Sequence, residues 1–214
     1  MKVLVTGGTG LVGNAALRQA LEHPGTSRVV SLGRRRTKLD SPKLIEVVVK
    51  DFMDLAPVKR HLHGVGLCLY CLAAYSNRMD RAAYERITVG YLDALIRALQ
   101  EASPRAAFCF FSAEGARRDG KSWLRAFNVK GQAEQRLLDA GFPRKYFFRP
   151  GYIHPTRPRA HKVFYDPLVT PLFRLFPSIG IESADLARVM IETGLNDPRP
   201  EAALENREMR VLCK

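Results

Sequence analysis

Apolar positions along the chain fall into two alternating rhythms. Lys2–Thr6 (K-V-L-V-T) is a β-branched run fit for a buried strand, and from residue 11 to about residue 23 the apolar positions return at helical spacing. Residues 28–32 (R-V-V-S-L) and 44–49 (L-I-E-V-V-V) read as the second and third strands. Residues 67–74 (L-C-L-Y-C-L-A-A) are apolar on both faces, as a buried parallel strand should be. A long amphipathic helix is predicted over 80–102, carrying Ile87, Leu92, Leu95, Ile96 and Leu99 and stopped by Ser103-Pro104. Ala107–Phe111 is the fifth strand, 122–140 the next helix and 146–149 the sixth strand. A last helix is expected over 183–194 and a short terminal strand over 209–212. Strand and helix in alternation, joined by short links, predict an α/β chain: a doubly wound parallel sheet covered on both faces.

Composition limits what such a chain can be. With 214 residues it has the size of a single domain, 1–214, and its 46% apolar content excludes a disordered chain. Residues 152–182 stand apart as a substrate lid or small C-terminal subdomain. The longest apolar run, over 65–75, is about eleven residues against the ~20 of a membrane helix, so no membrane partner is expected. The N-terminus leads straight into a strand-like run, with no signal peptide, and four cysteines are no disulfide framework. The expected compartment is the cytoplasm. The net charge of +13 first suggests nucleic acid, but zinc-finger spacing, basic heptads and RNP aromatics are all missing.

The first chemical signal is the run T-G-G-T-G-L-V-G, in which Gly8-x-Gly10-x-x-Gly13 and Gly7-x-x-Gly10-x-x-Gly13 both fit a dinucleotide-binding turn. It follows the first strand and opens the first helix, where glycines admit a pyrophosphate close to backbone N–H groups and the helix N-terminus faces the anion. An NAD site carries an acid about twenty positions on. Counting from Gly13 lands in L-G-R-R-R-T-K, where Arg34 and Arg35 offer guanidinium forks for a 2′-phosphate. NADP is therefore expected ahead of NAD.

T-G-G-T-G-L-V-G, L-G-R-R, K-D-F-M-D-L and L-Y-C-L-A-A together resemble the atypical short-chain dehydrogenase/reductases. The branch is the one holding Tat-interacting-protein-like, NmrA-like and nucleoside-diphosphate-sugar epimerase-like proteins. The likeness continues through F-F-S-A-E-G-A, N-V-K-G-Q-A-E and F-R-P-G-Y-I, nearly the whole chain. It implies a Rossmann fold whose pyrophosphate contacts come from Gly7, Thr9, Gly10, Leu11, Val12 and Gly13. It implies that Asp51 and Phe52 flank the adenine, that Leu72, Ala73 and Ala74 line the cofactor, and that Pro150 and Gly151 pass near the nicotinamide. Ser112 matches the family's catalytic serine and Lys130 its catalytic lysine.

The family's Tyr-x-x-x-Lys pair is incomplete, because the position four before Lys130 is Ala126 and its neighbour Phe127 has no proton to give. General acid–base help is worth ~10²–10⁴-fold, so ordinary ketone chemistry should be crippled. Tyr75, Tyr152 and His154 follow strands and are the substitute acids, with Tyr152 the preferred one. Cys68-x-x-Cys71 is read as core packing, since residues three apart on a strand point to opposite faces. His61-x-His63 lacks the further ligands of a zinc set, so no metal is expected. The apolar segment 162–179 reads as a lid, a packed subdomain or a homodimer contact.

The basic stretches 34–38, 117–121 and 157–162 all follow strands and would gather at the carboxyl edge as a positive funnel for an anionic small molecule, leaving nucleic acid a minor alternative. The leading expectation is an NADP-dependent oxidoreductase acting on a small anionic or conjugated acceptor. Beside it stand an NADP-sensing regulator or scaffold of NmrA type and an epimerase or dehydratase of nucleotide sugars.

Overall fold

A computed structural model describes residues 1–74, 77, 79–156 and 176–213. Seven strands form one parallel sheet: β1 (Lys2–Thr6), β2 (Arg28–Gly33), β3 (Leu44–Val48), β4 (Val65–Tyr70), β5 (Ala107–Phe111), β6 (Arg144–Arg149) and, after two short strands outside the sheet, β9 (Glu201–Glu205). Across the sheet the order is β3-β2-β1-β4-β5-β6-β9. Direction of growth reverses between β1 and β4, which opens the crevice where ligands bind in doubly wound sheets. The two short strands, β7 (Tyr152–His154) and β8 (Gly180–Glu182), pair with each other in a separate parallel ribbon.

Strand alternation sends Leu4, Val30, Phe108 and Phe110 into one core layer and Val3, Val5, Val29 and Cys109 into the other. The first layer is covered by α3 (Tyr91–Ala102) through Leu92, Leu95 and Leu99, and by α4 (Arg125–Leu138) through Val129, Ala133 and Leu137. The second is covered by α1 (Leu11–Glu22) through Ala16, Leu17 and Ala20, and by α5 (Ser183–Asn196) through Leu186 and Met190. Cys68 and Cys71 fall in opposite layers, both buried, as the strand geometry requires. Burial pushes both thiols up, that of Cys71 to about 12, so neither offers a thiolate near neutral pH.

Three elements depart from expectation. The helix predicted over 80–102 is interrupted: α2 (Arg81–Glu85) runs through one π turn, Arg86–Gly90, into α3. The terminal strand expected over 209–212 is instead the end of a helix, α6 (Asn206–Leu212). A capping box starts it, since Glu205 accepts from the backbone of Glu208 and Glu208 returns a bond to the Glu205 N–H. The seventh strand lies just before it, held by the β6 register from Lys145↔Glu201 to Arg149↔Glu205.

Three cations sit at the amino edge of the sheet: Lys43, Arg144 and Lys145. Parallel strands bring each preceding helix C-terminus there, with carbonyls left over by the last turn. Lys43 Nζ donates to the carbonyl of His23 at the end of α1, and Lys145 Nζ to Leu138 and Ala140 at the end of α4. Arg144 donates to Leu195 and Asp197 at the end of α5. These cations satisfy orphan carbonyls and oppose the negative ends of the helix dipoles.

Candidate functional site

The carboxyl end of β1 turns into the glycine loop. Gly7 has φ +71°, and a Cβ there would lie 2.7 Å from the Cys71 carbonyl oxygen, so the turn presses against the chain leaving β4. A Cβ at Gly13 would lie 2.2 Å from the Gly7 carbonyl oxygen, closer than any side chain can come. Gly10 N–H closes the turn onto Gly7 O at 2.8 Å. Gly10 is also the residue before α1, which has no side-chain cap and no acid in its first turn. Thr9 and Gly10 lie on the turn and Leu11, Val12 and Gly13 open the helix, an uncapped N-terminus of the kind that favours an anion.

The chain after β4 brings Leu72 beside that loop: its amide nitrogen would be 3.0 Å from a Cβ at Gly7. Leu72 and Ala74 are half-buried against the core and Ala73 is exposed. Arg34 and Arg35 follow β2 and are exposed. The count along the sequence finds no acid at this corner, but β3 supplies one: Glu46 Oε1 accepts from the Thr37 N–H at 2.5 Å and the Thr37 hydroxyl at 2.6 Å.

Phe52 corrects an expectation. Its ring is fully buried and stacks on Tyr91, centroids 5.4 Å apart, so it offers no face to an adenine. Asp51 accepts from the Met53 N–H at 2.9 Å and pairs with Arg86 at 3.0 Å, tying this loop to the π turn.

Ser112 and Lys130 are brought to the same place without facing it in the expected way. Ser112 directly follows β5, is 1% exposed, and its hydroxyl donates to Glu134 Oε1 at 2.5 Å. Glu134, one turn beyond Lys130 on α4, is wholly buried. It also accepts from Arg149 Nε at 2.8 Å, Arg149 Nη2 at 2.5 Å and Arg118 Nε at 2.9 Å. Burial alone would raise the Glu134 carboxyl. The hydrogen bonds from Arg149 and Ser112, the Arg149 charge and Arg118 outweigh it and hold the group below its ordinary range. Arg149 reaches on to Glu205 and Arg118 to Glu201, so the cluster fastens β9 to the sheet. Sequence reasoning missed Glu134; the signal was an acid in step with Lys130 on one helix face.

Lys130 Nζ donates to the Phe111 carbonyl at 3.0 Å, lies 5.0 Å from the Phe110 ring centroid and is almost buried. Burial draws it down to about 8, with Glu134 and Cys71 pulling the other way. Ala126 precedes it by one turn and is half-buried. Phe127 cannot take the acid's place, since its ring lies under Gly115 and its carbonyl accepts from Arg117 N.

Pro150 is buried, and Gly151 N–H donates to Asn206 Oδ1 at 3.2 Å. Tyr152, the preferred substitute acid, is half-buried on β7, its ring 6.3 Å from that of His154. Tyr75 and residues 157–162 lie outside the described residues, as does most of the apolar segment 162–179. Of the expected funnel, 34–38 is present, but Arg117 pairs with Asp119 at 2.7 Å and Arg118 with Glu134 and Glu201. Two of its guanidiniums are therefore spent on carboxylates of the chain itself.

Residues 3–121 match the model of a family described as NAD dependent epimerase/dehydratase. Over 95% of its length the chain is 22% identical to a protein of Meyerozyma guilliermondii called Protein FMP52, mitochondrial, and covers 91% of it. Among solved structures, it is similar to the yeast methylglyoxal/isovaleraldehyde reductase Gre2 complexed with NADPH, with TM-score 0.74 and 14% identity. That match covers 96% of this chain and 77% of the other. It is similar also to MoeE5 in complex with UDP-glucose and NAD, with TM-score 0.70, 19% identity, and coverage of 96% and 75%. No helix among the described residues is long and apolar enough to cross a membrane.

Proposed function

The chain belongs to the NAD dependent epimerase/dehydratase family, and on that premise we propose that it is an NADP-using oxidoreductase that reduces a small conjugated or anionic acceptor. The observation that carries this reading is the bare N-terminus of α1 over a cradle in which Gly7 and Gly13 leave no room for a Cβ. In this reading the backbone from Thr9 to Gly13 holds the pyrophosphate, and Arg34 and Arg35 take the 2′-phosphate. Leu72 to Ala74 line the crevice, while Pro150 and Gly151 bound its far side. The Lys130 ammonium holds ribose hydroxyls from the floor. A reduced nicotinamide bound there supplies the hydride.

Proton delivery is the weak part of this site. Position 126 has only a methyl group, and the Ser112 proton is engaged by Glu134. We therefore assign Ser112 to the Glu134 cluster rather than to the acceptor. An acceptor that is electronically primed, such as a quinone or a flavin, can take its proton from water or from Tyr152, and so suits a chain without the phenol. An anionic acceptor draws support from the net charge of +13. Four free thiols fit a reducing compartment, the cytoplasm in the first instance.

The same two residues favour a second reading, a regulator that binds NADP and changes partners with its redox state. Titration with NADPH and NADH, followed by turnover against ketones, quinones and flavins, separates the two. Tight NADPH binding with quinone or flavin turnover supports the reductase, and tight binding with none supports the regulator. If neither nucleotide binds, both readings fall.

A further inference from the structure

The corner after β2 carries a device beyond the two arginines. A bend at Arg34 and Arg35 turns the chain after β2, and Thr37 Cγ2 comes within 3.3 Å of where a Cβ on Gly8 would stand. Ser31 Oγ lies 2.9 Å from that same point, and Ser31 is the register partner of Glu46 on β3. Gly8, Ser31 and Thr37 thus meet between the glycine loop and the end of β2, and Glu46 is tied to that corner through Thr37 and its pairing with Ser31. In doubly wound dinucleotide sites this is the neighbourhood of the adenosine ribose, where an acid accepts from a 2′-hydroxyl and an arginine donates to a 2′-phosphate. Glu46 enters it from the neighbouring strand, out of step with any count along the chain. Both donors of Thr37, the amide at 2.5 Å and the hydroxyl at 2.6 Å, converge on its Oε1.

We propose that the Thr37–Glu46 pair sets cofactor choice: Thr37 holds the Glu46 carboxylate away from the ribose and leaves the corner to Arg34 and Arg35, so that a 2′-phosphate is accepted. The physical reason is charge and hydrogen bonding together. An unheld carboxylate beside a phosphate repels it, whereas the same carboxylate beside a 2′-hydroxyl accepts its hydrogen bond. Two hydrogen bonds from Thr37 fill the lone pairs of Oε1, fix the orientation of the carboxylate and damp its field. Thr37 is a positioning residue in this scheme, and Glu46 is the group it positions.

The proposal rests on the cofactor reading above, and its test keeps the two apart. Dissociation constants for NADPH and NADH are measured by calorimetry for the parent, Thr37→Val, Thr37→Ala, Glu46→Gln and the double variant Thr37→Val/Glu46→Gln, with thermal melts to confirm folding. Loss of a hydrogen bond to a charged group is worth about tenfold or more. Thr37→Val and Thr37→Ala should therefore shift the NADPH-to-NADH preference at least about tenfold toward NADH. Glu46→Gln alone should leave the NADPH preference in place, and the double variant should restore it. A parent that prefers NADPH together with folded Thr37 variants whose preference is unchanged overturns the latch and leaves the cofactor reading standing. A parent that binds neither nucleotide, or NADH as tightly as NADPH, removes the premise and the proposal with it.

Discussion

The Ser112 hydroxyl donates to Glu134 Oε1 at 2.5 Å, and neither side chain meets solvent to any useful extent. A hydroxyl bound in this way helps fix the end of β5 to α4. Ser112→Ala should therefore lower stability by about 1.5–3 kcal/mol, the worth of a buried hydrogen bond to a charged group. Nucleotide affinity should stay within about threefold of the parent, well under the tenfold of 1.4 kcal/mol. Urea unfolding and NADPH titration check both halves; unchanged stability with lost turnover would return Ser112 to the acceptor.

Glu134 gives the fold an acid limit. Its carboxyl binds a proton less readily in the folded chain than in the unfolded one, because Arg149, Ser112 and Arg118 favour the charged form over the cost of burial. The stability it contributes is full above the ordinary 4.5 and is lost as pH falls through the lower folded value. Glu134→Gln removes the buried charge that Arg149 and Arg118 share, leaving them only the more exposed Glu205 and Glu201, and should cost roughly 3 kcal/mol at pH 7. In unfolding series from pH 7 to pH 3, the gap between variant and parent should narrow toward the acid end.

How much of this was legible beforehand depends on range. β1, β5 and the start of α1 fall where the residue pattern puts them, because β-branched runs and a glycine turn are local signals. β9, E-A-A-L-E, has no β-branched residue and owes its existence to pairing with β6, some fifty residues earlier by the register Tyr146↔Ala202. α6 was hidden because its apolar residues are too few to show a period, although the Glu205–Glu208 box was there to be read. The Glu134 cluster draws on α4, β6 and the loop after β5, and no spacing rule connects them. Net charge carries no address along the chain: part of it, at Lys43, Arg144 and Lys145, caps helix ends at the amino edge of the sheet.

Lys130 should make nucleotide binding fall on the alkaline side. Its ammonium is drawn down to about 8 by burial, so the cation that would hold the ribose is present at pH 7 and largely gone at pH 9. The NADPH dissociation constant should rise several-fold across that interval, and Lys130→Met should bind weakly with a flat profile. Stability moves the other way. The unfolded chain holds this proton more tightly, so the fold gains as pH rises from about 8 toward the ordinary 10.5. A binding profile that is flat in the parent would remove Lys130 from the cofactor's contacts.

Gly13→Ala tests the cradle. Its new methyl would meet the Gly7 carbonyl oxygen at 2.2 Å, and both atoms belong to rigid backbone, so the turn must open. Overpacking of this kind costs about 1–3 kcal/mol, and the loss of nucleotide binding should exceed what that instability explains. Gly10→Ala, whose methyl would stand 3.2 Å from the same oxygen, should be milder in melting temperature. Equal effects of the two changes would show that the loop yields more easily than its contacts imply.

Ala126→Tyr asks whether the missing phenol is what restrains ordinary carbonyl chemistry. Positions 126 and 130 lie one turn apart on α4, so a tyrosine there is directed along the face that carries the Lys130 ammonium. A cation beside a phenol favours the phenolate and lowers its proton affinity toward working pH. Restored proton transfer should raise turnover of simple ketones by about 10²–10⁴-fold, read as kcat/KM with NADPH. The gain should depend on Lys130, so that Ala126→Tyr/Lys130→Met loses most of it while still folding. Quinone or flavin turnover, which needs no phenol, should change little. If ketone turnover stays at the parent level while NADPH still binds, the phenol is not the missing part. The engagement of Ser112 by Glu134 then becomes the reason the site cannot polarise a carbonyl, and the regulator gains over the reductase.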